Sequence, residues 1–209
     1  MCAVVVVWAF FVYFVGFHHC FFSPFILFFD VTNLLRIILQ ETYELVDANY
    51  HNTFTSNSVE NDFNKNGANV SYSEDGMSIG GNYANFMYKT PLTQPFSVKF
   101  EITKYTGNGE GYITLWKSTD VSSVSNQFVN LESKANSLTI SEHGSSVTTK
   151  QIAKIGTYEI KAYSNYVEIT KDNTLIGTIQ DCVIDNGYLS FVGSSSSYQT
   201  IKNVVIKAL

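Results

Sequence analysis

Glu60 and Asp62 are one residue apart, a spacing that on a β-strand would aim two carboxylates from the same face. Two carboxyl groups about 5 Å apart are what a retaining glycosidase uses, one as acid and one as nucleophile. The pair sits among Ser, Asn and Asp residues in "TSNSVENDFNKNG", however, and that composition predicts a turn instead of a strand. Other catalytic constellations are no better supplied. After residue 40 the histidines are His51 and His143, the latter in the turn-like "SEHGSS", and no Gly-x-Ser-x-Gly elbow occurs. The three cysteines are Cys2, Cys20 and Cys182, with no C-x-x-C pair. Cys182, alone in residues 41–209, is expected to be a small buried hydrophobe. "GNGEG" at 107–111 is Gly-rich but lacks the helix and Lys of a phosphate cradle.

Binding chemistry is better represented. In "GYITLWK" Tyr112, Thr114 and Trp116 alternate with Ile113 and Leu115; in "QFVNLES" Phe128, Asn130 and Glu132 alternate with Val129 and Leu131. Aromatic rings beside amides, hydroxyls and a carboxylate suit a sugar, whose C–H faces stack on rings while its hydroxyls take hydrogen bonds. These five residues, Tyr112, Trp116, Phe128, Asn130 and Glu132, are the candidate ligand site. The alternative is that both faces of these strands are covered and Trp116 is core.

The elements that must position them are strands. From about Glu41 onward short alternating segments rich in Val, Ile, Thr, Tyr and Phe are separated by Gly, Asn, Asp and Ser. "PFSVKFEITKY" places Phe96, Val98, Phe100 and Ile102 on one face and Ser97, Lys99, Glu101 and Thr103 on the other. "VEITKDNTLIGTIQD" reads as a hairpin in which Asp172 and Asn173 turn the chain and Leu175 resumes the alternation. Strands recurring every 8–12 residues or so favour an all-β sandwich or barrel over a parallel α/β sheet.

Charge divides the chain in two. Residues 1–40 hold only Asp30 and Arg36 as formally charged groups. Cys2 to Phe29 is an unbroken uncharged run, long enough to cross a bilayer of roughly 30 Å as a helix. A membrane anchor, a start codon set too far upstream, and a signal-like leader are the three readings of this apolar segment. Against the last stand the missing basic residues and cleavage site. Residues 41–209 are taken as one β-sandwich domain. The net charge of −5, with 13 Lys and Arg and no cluster of them, argues against nucleic acid as a partner. One glycosylation sequon, Asn69-Val70-Ser71, is present and would be used only in a secretory compartment.

Four stretches together resemble the concanavalin A-like lectin/glucanase superfamily, particularly its laminin G-like members. They are "NDFNKNGANVSYSEDGMSIGG" as an opening strand pair, "TPLTQPFSVKFEIT" as a long strand, "YEIKAYSNYVEITKDNTLIGTI" as a hairpin and "GYLSFVGSSSSYQTIKNVVIKAL" as a closing pair. The resemblance implies a concanavalin A-like jelly roll of two antiparallel sheets, with carbohydrate or a glycoconjugate as the ligand. Glycosidases of the superfamily carry Glu-x-Asp-x-x-Glu on one strand. Here Lys65 stands where the second Glu belongs, so the resemblance implies a module that is not an enzyme. Lectin-like jelly rolls often hold calcium through loop oxygens, and Asp172, Asp181 and Asp185, near strand ends, are where such an ion would bind. Similar domains decorate adhesins and viral fibres, which implies display on a cell surface or virion, with oligomers open. The rival expectations are a purely structural sandwich in a fibre and, third, a glycosidase-like enzyme.

Overall fold

The computed structural model describes residues 50–209 apart from 82, 83, 108, 109, 135, 136, 143, 144 and 195, and apart from the side chains of 124 and 134. The apolar leader and His143 lie outside the described residues. The first strands are β1 (Tyr50–Asn52), β2 (Phe63–Asn66), β3 (Asn69–Ser73), β4 (Gly76–Gly80) and β5 (Asn85–Tyr88). The middle of the chain forms β6 (Phe96–Gly107), β7 (Gly111–Trp116), β8 (Gln127–Lys134), β9 (Ser137–Glu142) and β10 (Ser145–Lys150). The remainder forms β11 (Gly156–Ala162), β12 (Tyr166–Lys171), β13 (Thr174–Gln180), β14 (Tyr188–Val192) and β15 (Ser197–Ala208).

Two antiparallel sheets result. The first runs β13-β12-β11-β6-β15-β4-β3, with β1 also on β15; the second runs β10-β9-β8-β7-β14-β5-β2. The alternation expected for β6 holds, with Phe96, Val98, Phe100 and Ile102 all buried. Rings join the sheets: Phe100 of the first stacks on Tyr158 at 5.5 Å and meets Phe191 of the second edge-on at 5.8 Å. Phe63 stacks on Phe86 at 4.9 Å. Such pairs add about 0.5–1.5 kcal/mol each beyond the area they bury. Cys182 is buried as expected, and burial pushes its thiol up to about 11.

Several expectations are corrected. The "closing pair" is not paired: β14 lies between β7 and β5 of the second sheet, β15 between β6 and β4 of the first. The "opening pair" is three strands, β2 in the second sheet and the β3–β4 hairpin in the first. In the β12–β13 hairpin Asp172 and Asn173 turn the chain at φ 49° and 62°, as their residue types predict. Leu175, however, faces solvent at 56% exposure. Ile169 pairs with Gly177 while Thr170 pairs with Leu175, so a bulge at Ile176 moves Leu175 to the outer face.

One buried charge sits apart from any carboxylate bond. Lys154, between β10 and β11, holds its Nζ 3.0 Å from the centroid of the Tyr105 ring, with no hydrogen-bond partner. Burial, partly offset by Glu110, pulls its pKa down to about 8.

Candidate functional site

The outward face of the second sheet carries a groove of about 420 Å³. Register arranges its residues in rows across the strands, because side chains of paired residues point the same way. In the middle row Thr114 of β7 lies between Asn130 of β8 and Ser190 of β14, and Asn130 is followed by Ser141 of β9. On one side Tyr112 lies between Glu132 and Val192, which leads to Asn85 of β5. On the other, Trp116 lies between Gln127 and Tyr188. A polar floor is thus flanked by an aromatic residue on each side.

The floor is fixed by its own hydrogen bonds. The Thr114 hydroxyl donates to Asn130 Oδ1 at 2.8 Å, and the Ser190 hydroxyl donates to Asn85 Oδ1 at 2.8 Å. All four residues are buried. With its carbonyl end engaged by Thr114, the Asn130 amide is oriented and its NH2 end remains as a donor. Behind the groove, Gln199 of β15 reaches across from the first sheet: its Nε2 donates to the carbonyls of Tyr112 at 3.1 Å and Val192 at 3.0 Å. Val121 and Ser122, from the loop between β7 and β8, complete the lining. That loop is shaped locally, Asp120 Oδ1 accepting the Ser122 N–H at 2.9 Å and Asn126 O accepting the Lys117 N–H at 2.7 Å. Hydrogen bonds from Ser122 hold the Asp120 carboxyl below its usual range.

Four of the five expected ligand residues, Tyr112, Trp116, Asn130 and Glu132, line this groove. Phe128 does not. Leu115 pairs with Val129 but Trp116 pairs with Gln127, so Phe128 is the extra residue of a β-bulge. It packs against the hydrophobic core, with Lys117 Nζ 5.7 Å from its ring centroid, and Gln127 takes the groove position instead. Trp116 lines the groove and is also largely covered, as the alternative reading of this strand expected. At 5% exposure the indole belongs to the groove wall and is not an open platform; its Nε1 finds no hydrogen-bond partner. Gln127, Ser141, Asn85 and Val192 had no mark in the sequence beyond being strand residues.

Glu60 and Asp62, the pair that the sequence sets one residue apart, do not line the groove. Glu132 is the one carboxylate among the described lining residues. The Tyr112 hydroxyl donates to a neighbouring carboxylate, Glu110. Glu60 lies in a 3-10 turn, Asn57–Asn61, with Asp62 capping its end, as the turn-forming composition predicts. The Glu60 Oε1 accepts the Tyr72 hydroxyl at 2.8 Å and lies 4.0 Å from Lys65 Nζ.

The three aspartates expected to hold calcium are not brought together. Asp172 precedes β13 and Asp181 follows it, and its seven residues separate them by roughly 20 Å. Asp172 is spent on the hairpin: its carboxyl is lowered by Lys171 and by the Thr157 N–H, which donates to Oδ1 at 2.9 Å. Asp185 accepts from the Asn186 side chain at 3.3 Å. Among the described residues no group of three or more His, Cys, Asp or Glu could hold a metal ion.

Two packed antiparallel sheets with a groove on one outward face define a concanavalin A-like jelly-roll sandwich. No protein-family model matches the sequence, and no curated protein matches it. Solved structures share the fold. The carbohydrate-binding module CBM66 from Bacillus subtilis superposes with a TM-score of 0.58 at 15% identity, over 70% of this chain and 96% of that one. Apo Crh5 transglycosylase gives 0.60 at 13% identity, over 76% and 83%. The metal-free carbohydrate recognition domain of Emp46p gives 0.55 at 10% identity, over 76% and 95%.

Proposed function

We propose that this protein is a non-catalytic carbohydrate-binding module whose ligand lies in the groove on the second sheet. The observation that carries the reading is the groove's composition: a buried floor of hydroxyls and amides, Thr114, Asn130 and Ser141, flanked by Tyr112 and Trp116. Hydroxyls and amides both donate and accept, as sugar hydroxyls do, and the half-buried Tyr112 ring offers surface to sugar C–H groups. The fold neighbours named as a carbohydrate-binding module and a carbohydrate recognition domain support it. Glu132 is the one carboxylate among the described lining residues, and the Glu-x-Asp-x-x-Glu motif of the superfamily's glycosidases is incomplete in this sequence, Lys65 standing at its last position. Display on a cell surface or virion belongs to the same proposal.

The test is a broad glycan array with the full-length protein, with and without calcium, alongside an assay for hydrolysis and glycosyl transfer. The expected result is binding that disappears in Trp116→Ala and Tyr112→Ala while the β-sheet circular dichroism is retained. A second reading, a structural sandwich with no ligand, is favoured by the depth at which Trp116 is buried. Silence on every glycan together with a stable oligomer would establish that reading instead.

A further inference from the structure

Charge is distributed on this groove in a way that narrows what it can hold. Among its described lining residues there is no Lys, Arg or His, and the one carboxylate is Glu132. Glu110 adds a second carboxylate at the same end, where it accepts the Tyr112 hydroxyl. The chain as a whole carries −5. An acidic sugar entering here would bring its carboxylate against a buried floor with no cation among the described lining residues to pair it, and an unpaired buried charge is strongly unfavourable.

The floor also continues beyond the groove. Ser141 pairs with Ser146 and Thr139 with Thr149 on β10, the last strand of the sheet, and the Thr139 and Thr149 hydroxyls lie 3.2 Å apart. Hydroxyl and amide side chains therefore run from Asn85 on β5 through Ser190, which lies fully buried beneath the groove, and then Thr114, Asn130 and Ser141 to that edge. Strands lie about 4.8 Å apart, so the track is roughly 24 Å long and open where β10 has no further neighbour among the described residues.

Resting on the carbohydrate reading above, we infer that the groove selects uncharged linear glycan chains laid across the strands, and rejects their acidic counterparts. Calorimetry with the full-length protein would test it. The probes are linear gluco-, galacto- and manno-oligosaccharides of two to six units, each set against the uronate oligomer of the same backbone. For the neutral series that binds, affinity should rise about tenfold or more from two to five units, as each added sugar meets the polar side chains of a further strand. Its uronate counterpart should bind at least about tenfold more weakly, and Glu132→Gln should narrow that gap.

Equal or tighter binding of the uronate would overturn the inference while leaving the carbohydrate reading intact. Affinity already complete at two units would do the same. Failure of every series, neutral and acidic, while the array shows binding to some other glycan would overturn this inference alone; silence on the array as well would overturn the carbohydrate reading with it.

Discussion

Lys161 on β11 and Thr114 on β7 occupy comparable places, each on an interior strand of its sheet with its side chain turned away from the core. Around Lys161 the first sheet is a lattice of charge. Thr178, Glu168, Lys161, Ser97 and Lys207 form one row, and Thr170, Glu159, Lys99, Val205 and His51 the next. Glu159 accepts the Ser97 hydroxyl at 2.8 Å and meets Lys161 at 3.2 Å. Around Thr114 the second sheet has amides, hydroxyls and rings, buried and hydrogen-bonded among themselves. The same two-residue alternation generates both faces. The charged one gains solvation and needs no ligand, whereas the other covers side chains that could have been left in water.

The contrast is sharpest at Trp116. If the second face is a binding surface, Trp116→Ala should lower affinity for the array's best glycan by about 100-fold, close to 2.7 kcal/mol, measured by titration. Thr114→Val is the next largest change. It leaves Asn130 Oδ1 without its donor in a buried place, which should lower stability by about 1–3 kcal/mol in urea unfolding and loosen the amide that the ligand meets.

Lys154 tests what charge does when the first sheet's solvent is withheld. Below pH 8 both the folded and unfolded chains hold its proton, and the buried ammonium burdens the folded state. Between pH 8 and its ordinary value of 10.5 the folded chain gives up the proton while the unfolded one keeps it, so stability rises with pH. Lys154→Met should be more stable than the native chain at pH 7 and should lack the rise in Tm between pH 8 and 10. The smallest effect belongs to the charged lattice. Lys161→Ala should change stability by less than about 1 kcal/mol and leave glycan binding unaltered.

Much of the fold was legible because burial writes period two into a strand, as at Phe96, Val98, Phe100 and Ile102. Strand partners were not, since the same alternation fits either sheet; β14 and β15 read as neighbours yet part company. β10 escaped because "SSVTTK" is an edge strand with mostly exposed side chains and almost no apolar face to announce it. At the site, Tyr112, Trp116, Asn130 and Glu132 follow from strict alternation along β7 and the regular part of β8. Gln127, Ser141 and Asn85 were hidden, because a polar residue on an outward face looks the same in sequence whether solvent or a groove lies beyond it. Leu175 and Phe128 were misplaced for one shared reason, a bulge, which shifts the period without changing the composition.

The bulge on β8 also makes that strand tolerant of a change in length. Gln127 turns outward and Val129 inward on either side of Phe128, so removing Phe128 would leave the two in ordinary alternation, with every later residue of the strand in phase. A deletion elsewhere along β8 would exchange core for groove from that point on. Phe128 is thus a joint at which this fold can gain or lose a residue, remodelling the Trp116 end of the groove while the sandwich behind it keeps its frame.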